Sequence, residues 1–424
     1  MLDMRWLRDD PDFLRGACRL KNAEVDVDRA VALDARRREI LLEKETLQNE
    51  RNRVSREIAQ KKKEGADSGA QQEEMRRVGD RIAALEGEER AVAAELRRLM
   101  LAIPNHPAAD APKGDETANQ EVAAWGARPE FAFRPKPHWE ICEALDILDV
   151  RRGAKVAGSG FILYRGAGAR LERALINFFL DFHTSRHGYT EWLPPFLVNR
   201  DSMIGTGQIP KLEEDMYHCD KGDDLFLIPT AEVPLTNIHR DDILPADRLP
   251  LKYCAYSACF RREAGAAGKD TRGLLRVHEF NKVELVKFTR AEESCSEHEG
   301  LRADVEDILR ELGLPHRVLN LAAGDMSFSA AKCYDFEIWA AGVGKYLEAS
   351  SCSNCTDYQA RRANIRYKDA DRKIRFVHTL NASGLALPRT MAAIIENNQR
   401  GDGSVAVPGA LQPYMGGMTE IRKA

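Results

Sequence analysis

CFRREAGAAGKDTRGLLRVHEFNKVELVK, residues 259–287, holds two strand-like runs, Cys254 to Glu263 and Arg276 to Phe288, around a glycine-rich loop, Ala264 to Leu275. Side chains on a strand alternate between faces. Arg261 and Glu263 are therefore expected on one face of the first run. Arg276, His278, Phe280, Lys282 and Glu284 are expected on one face of the second. Folded as a hairpin, the two faces make one surface of guanidinium groups, carboxylates and a single ring. A solvated face with ion pairs is the plain alternative. The functional one is a ligand surface: arginines take phosphate oxygens bidentately, Phe280 is a platform for a base, and Glu284 accepts from an amine or hydroxyl.

Outward from this hairpin the pattern mixes α and β. Leu171 to His187 reads as a helix, closed by Gly188 and followed by a strand from Tyr189 to Leu193. Leu225 to Ile228 and Lys345 to Ser351 read as further strands. Many short strands with few intervening helices favour an antiparallel sheet over a doubly wound parallel one. Before it, residues 104–135 are a Pro/Asn/Gly-rich connector.

The region from about Asp28 to Met100 differs sharply. Leu33, Ile40, Leu47 and Val54 recur every seventh residue, followed by Ile58. Met75, Val78, Ile82, Leu85, Val92, Leu96, Leu99 and Ile103 step mostly by threes and fours. This is the a/d pattern of a coiled coil. Gly65 to Gly69 is a turn between the runs, so the sequence predicts an antiparallel helical hairpin, an arm about 55 Å long. Arg36 to Arg38, Arg51, Arg53, Arg56 and Lys61 to Lys63 are candidate contacts for a polyanion, although charge runs on coiled coils are usually solvated faces. The organisation expected is an arm domain over 1–103, the connector over 104–135 and a sheet domain over 136–424.

A chain of 424 residues is long enough for more than one core. Net charge is -4, so attraction to nucleic acid must come from local patches rather than from the whole molecule. Nine scattered cysteines point to reduced thiols in a cytosol. Cys352 and Cys355 form a CxxC without a second pair to complete a zinc site. The acidic start MLDMRWLRDDPDF is not expected to be a signal peptide, and no apolar run approaches the roughly 18 residues of a membrane span. Gly265 to Asp270 fails as a P-loop, because Asp270 stands where Ser or Thr must hold magnesium.

Three segments together carry a resemblance. Phe260-Arg261-Arg262-Glu263 is similar to motif 2 of the class II aminoacyl-tRNA synthetases, His187-Gly188-Tyr189 through Pro195 resembles motif 1, and Gly384 to Arg389 resembles motif 3. Pro229-Thr230-Ala231-Glu232, Glu348 to Asn354 and Asp357 to Arg362, with the preceding helical hairpin, are similar to the seryl-tRNA synthetase family. The resemblance covers essentially the whole chain. It implies an α+β fold: a coiled-coil arm followed by a catalytic domain on a six-to-seven-stranded antiparallel sheet flanked by helices. It also implies a cytoplasmic homodimer that uses ATP and Mg2+ to join L-serine to tRNA(Ser), and to tRNA(Sec) where that tRNA exists. The alternatives are a catalytically inactive synthetase-like RNA-binding protein and an amino acid–carrier protein ligase, which lacks the long arm.

The resemblance implies these roles. Arg261 bridges the serine carboxylate and the α-phosphate; Arg261, Glu348 and Arg389 are the catalytic set. Glu263 accepts from the adenine amine, Phe280 stacks on the ring, and Arg262, Val277, Ala349 and Ser350 complete the ATP site. Arg276 and Arg389 neutralise the β- and γ-phosphates, while Glu348 and Ser351 hold magnesium. A regular strand would put Glu348 and Ser351 on opposite faces, so either the chain bends between them or one of the contacts is made by backbone. Thr230, Ala231 and Glu232 read the α-amino group; Glu284 and Ser383 read the side-chain hydroxyl. Alanine is expected to be rejected because it would leave the Glu284 charge unpaired. Arg51, Arg53, Lys61 and Lys62 on the arm, and Lys269 and Arg272 in the loop, are the tRNA candidates.

Overall fold

The computed structural model describes residues 1–264 and 272–423. The chain divides into two compact units, Leu2–His106 and Pro107 onward, with Met1 grouped with the second.

In the first unit, helices α1 (Val27–Lys63) and α2 (Gly69–Ala102) form the antiparallel hairpin. Asp26 caps α1, its carboxylate accepting from Arg29 N at 2.8 Å, and Lys61 to Lys63 sit in the last turn, where cations suit the helix dipole. The heptad positions make the seam: Leu33, Ile40 and Val54 are buried with Val78, Ile82, Leu85, Leu96 and Leu99. Leu47 and Ile58 are only half-buried. Outside the seam, charges bridge the helices: Arg29 to Glu95 at 2.9 Å, Arg36 to Glu88 at 2.7 Å and Lys44 to Glu89 at 2.7 Å.

The second unit is organised by an eight-stranded sheet: β1 (Gln120–Trp125), β2 (Thr190–Trp192), β3 (Leu251–Phe260), β4 (Glu279–Thr289), β5 (His316–Asn320), β6 (Lys332–Ala340), β7 (Lys345–Asn354) and β8 (His378–Ala386). The spatial order is β1-β5-β6-β7-β8-β4-β3-β2. Every pairing is antiparallel except that of β2 with β3, where Thr190 lies opposite Tyr253. The sheet is thus wider than the six to seven strands expected, and its β2 edge is parallel.

Helices α3 (His138–Leu145), α4 (Ala167–His187), α5 (Ser294–Glu311) and α7 (Leu387–Asn397) bury their apolar stripes in the main core, Leu175, Phe179, Val305, Ile308 and Ile394 among them. Each such side chain contributes about 2 kcal/mol. A one-and-a-half-turn helix α6 (Tyr358–Ala363) packs against β8. Gly188 ends α4 with φ 70°, the left-handed cap that glycine adopts without a Cβ clash.

The strands at the hairpin are shifted from their sequence positions: β3 ends at Phe260 and β4 begins only at Glu279. Arg261, Glu263, Arg276 and His278 therefore lie in the connection, where alternation does not apply. Glu263 has φ 51°, in the left-handed region. The His278 ring stacks on Phe161 at 5.5 Å and its Nδ1 lies 3.1 Å from the Arg261 carbonyl oxygen, so it braces the backbone there.

Candidate active site

A cavity of about 480 Å³ opens over the middle of the sheet. Its floor comes from β4, β7 and β8, and its rims from the segments before β4 and after β3. Thr230, Glu232, Arg261, Glu263, Arg276, Val277, Phe280, Glu284, Glu348, Ala349, Ser350, Ser351, Ser383 and Arg389 all line it. Residues from six separated segments thus meet in one space. Ala231 is not on the wall. Arg262 points elsewhere, its Nη1 donating to the Glu214 carbonyl at 3.2 Å.

Two bulges shape the floor. Across β6 and β7, Phe336 faces Ser350 while Glu337 faces Glu348, so Ala349 is an extra residue. This one-residue insertion supplies the bend and brings Glu348 and Ser351 to the same cavity. Across β4 and β8, Lys282 faces Ala386 while Glu284 faces Ser383. Glu284 and Ser383 are therefore direct cross-strand partners. Ser350 Oγ donates to the Ser383 carbonyl at 2.6 Å, tying the two bulged strands together.

At one end of the cavity, charges already meet in pairs. Arg276 is ion-paired with Glu263. Arg389, in the first turn of α7, donates from Nη1 to the Glu348 carbonyl at 2.8 Å and approaches its Oε2 at 3.3 Å. The Arg261 guanidinium carbon sits 5.1 Å from the Phe280 ring centre, and Nε donates to the Pro229 carbonyl at 3.4 Å. Ser351 Oγ donates to Asp335, whose carboxyl is raised well above the usual range by burial and by the nearby Glu348.

The other end is deeper. Glu232 and Glu284 are both buried. Burial, followed by the charge of Glu284, pushes the Glu232 carboxyl up to about 7. Gln359 on α6 donates to Glu232 Oε1 at 2.6 Å and accepts from Thr379 at 2.7 Å. Lys282 donates to Thr230 Oγ1 at 2.9 Å and is ion-paired with Glu284. The Glu284 charge therefore has a partner before any ligand arrives, which corrects the expected ground for rejecting alanine. Asn381 Nδ2 reaches Glu284 Oε1 at 3.3 Å. Lys282, Gln359 and Asn381 received no role from the sequence; the two-residue spacing of Lys282 from Glu284 on one strand was the available signal.

Among the arm candidates, Arg51, Arg53 and Lys62 are exposed and Lys61 is half-buried; Arg53 is engaged by Glu57 at 2.8 Å. Arg272 lies over the Trp139 ring at 4.4 Å. Lys269 lies outside the described residues. Cys352 and Cys355 are buried, and burial raises the Cys352 thiol well above its ordinary range.

An antiparallel sheet with a mixed-charge cavity at its centre, two arginines on its rims and a helix opening at Arg389 is the arrangement of a class II aminoacyl-tRNA synthetase. Residues 214–398 match the profile of the tRNA synthetase class II core domain (G, H, P, S and T), and residues 1–107 match the seryl-tRNA synthetase N-terminal domain. The chain belongs to the seryl-tRNA synthetase family. It is 55% identical to a serine–tRNA ligase of Geotalea uraniireducens, over 99% of this chain and 100% of that one. Identity is also 55% to a serine–tRNA ligase of Geobacillus kaustophilus, with 100% of each chain covered. The crystal structure of seryl-tRNA synthetase from Pyrococcus horikoshii complexed with ATP superposes with a TM-score of 0.91 at 37% identity, covering 100% of both chains.

Proposed function

We propose that this chain activates L-serine with ATP and transfers it to the 3′ end of tRNA(Ser), and of tRNA(Sec) where that tRNA exists. The observation that carries this reading is the division of one cavity into an arginine-rich end with a flat ring and a deep end with two buried carboxylates. In the first step a serine carboxylate oxygen bonds to the α-phosphorus of ATP, and pyrophosphate leaves with the electrons of the broken P–O bond. In the second, a terminal ribose hydroxyl of the tRNA attacks the seryl carbonyl and AMP departs. Both steps depend on placement and on neutralising phosphate charge.

Arg261 lies over Phe280 and bonds the Pro229 carbonyl next to Thr230, a position that suits a bridge between the serine carboxylate and the α-phosphate. Glu263 and Phe280 are assigned to adenine, and Arg276 and Arg389 to the outer phosphates. ATP binding would then part the Arg276–Glu263 and Arg389–Glu348 pairs, exchanging each internal ion pair for a phosphate or amine contact. Glu348 and Ser351, flanking the Ala349 bulge, offer oxygen donors to the same cavity, a donor set that fits magnesium. When bound, magnesium would neutralise phosphate charge there.

Thr230 and Glu232 are assigned to the α-ammonium group and Glu284 with Ser383 to the hydroxyl. The serine hydroxyl would enter the existing Glu284–Lys282–Thr230 set. A side chain lacking that hydroxyl leaves the set intact but one hydrogen bond short.

The arm is assigned to the tRNA backbone, with contacts that weaken with salt. A homodimer is supported by the exposure of Leu193 at 79%, Leu197 at 42% and Trp192 at 39% around β2. Nine free cysteines suit a reducing cytoplasm. No helix among the described residues is long and apolar enough to cross a membrane. The readings as an inactive relative or a carrier-protein ligase are disfavoured by the presence of Arg261, Glu284, Glu348 and Arg389 and by the long arm.

The test is ATP–pyrophosphate exchange with serine, alanine, threonine and glycine, followed by charging of serine tRNA. Exchange with serine foremost is expected; none with serine would overturn the proposal.

A further inference from the structure

His138 and Glu396 lie 258 positions apart, and both are fully buried beside the cavity rather than in its wall. Glu396, two turns after Arg389 on α7, accepts four hydrogen bonds. His138 donates from its backbone N at 2.8 Å and from Nδ1 at 2.6 Å, both to Oε1. Gly342 N and Val343 N, in the turn between β6 and β7, donate to Oε2 at 2.8 and 3.0 Å. A buried carboxylate is tolerable when its oxygens are satisfied in this way.

The other imidazole nitrogen fixes the tautomer. Leu274 N donates to His138 Nε2 at 2.9 Å, so Nε2 carries the lone pair and Nδ1 carries the proton directed at Glu396. The approach is close. Gly273 has φ +60°, and a Cβ there would stand 2.4 Å from Nε2, so only glycine permits this contact. From the other side, Arg389 Nε donates to the Leu275 carbonyl at 3.4 Å.

One carboxylate therefore joins three pieces of the cavity. These are the segment Leu274 to Val277 that carries Arg276, the helix that carries Arg389, and the hairpin whose second strand carries Glu348 and Ser351. We propose that His138 and Glu396 are positioning residues for the nucleotide end of the site, holding the Leu274–Val277 wall in register with α7 and β7. The inference rests on the assignment of that end to ATP. It attributes to His138 a directional task, to accept from Leu274 N, rather than general packing.

Two substitutions separate these. His138→Asn keeps a donor near the Nδ1 position but has no acceptor at the Nε2 position. His138→Gln places an amide oxygen near Nε2 and gives up the side-chain bond to Glu396. Steady-state exchange would give KM for ATP and for serine. Amide hydrogen exchange without ligands would report Leu274 directly. His138→Asn is expected to raise the ATP KM roughly tenfold, the size of one lost buried hydrogen bond. The serine KM should stay unchanged, and Leu274 N–H should exchange faster. His138→Gln, which keeps an acceptor for Leu274 N, is expected to raise the ATP KM less than His138→Asn and to leave Leu274 N–H exchange near that of the parent. Equal effects of the two variants, a parallel rise in both KM values, or unchanged Leu274 exchange in His138→Asn would overturn the proposal. If the unaltered protein shows no serine-dependent exchange, the functional assignment falls, and the Leu274 measurement alone still decides whether His138 is the anchor.

Discussion

The helical arm and the sheet unit are both rich in charge, and they use it in opposite ways. On the arm, Arg29–Glu95 and Arg36–Glu88 bridge two helices at the surface, with each side chain about 36% exposed or more. Water screens such pairs, and the hairpin rests on its apolar seam. In the sheet unit, Lys282–Glu284 and His138–Glu396 are buried, and Glu232 and Glu172 are buried without a cationic ion-pair partner among the described residues. Burial of that kind is expensive unless every polar atom finds a partner. Exposed charge therefore marks a solvated scaffold in one region, and enclosed charge marks the cavity and the core beside it in the other.

Four measurements sharpen or break this contrast. The largest effect is expected from Arg261→Ala: serine-dependent pyrophosphate exchange should fall about 10³-fold, a loss typical of removing a group that stabilises developing charge. Near-normal exchange would remove Arg261 from its assigned role. Next, Leu85→Ala, in the arm seam and fully buried, should cost about 3 kcal/mol of arm stability by thermal melting while exchange persists.

The third concerns Glu172 on α4, whose carboxyl is raised to about 7 by burial, while Asn281 Nδ2 donates to it at 2.9 Å. A raised folded-state value means a contribution to stability that is complete below the unfolded value near 4.5 and is lost as pH climbs through about 7. Glu172→Gln cannot ionise. It should melt higher than the parent above pH 7, by on the order of 2 kcal/mol, with the advantage vanishing toward pH 5. A pH-independent difference would contradict this. Smallest is Arg29→Ala, which should leave the melting temperature unchanged within error; a clear drop would mean that surface pairs hold the arm after all.

Much of this was legible beforehand, for physical reasons that differ by region. The arm announced itself because a heptad repeat is a local signal, and the seam residues Leu33 to Leu99 followed from spacing alone. The cavity was legible through short motifs, which singled out Arg261, Glu348 and Arg389, and through the hairpin face, which singled out Glu284; all four line one space although they come from distant segments. What stayed hidden depends on contacts across the fold. Alternation failed at His278 because β4 starts after it, at Glu279. The pairing of Glu284 with Lys282 needed burial to become significant. His138 drew no role from the sequence, since nothing local announces a partner at Glu396.

The extra residue at Ala349 has a consequence of a different kind. Along a regular strand, orientation is a matter of parity, and parity survives any substitution but no change in count. Glu348 and Ser351 reach the same space only because the tally between them is off by one against β6. The site thus depends on a number as well as on identities. Replacing Ala349 by serine should preserve exchange; deleting it removes the extra count and the bulge together, so Glu348 and Ser351, then two apart on a regular strand, should still share one face.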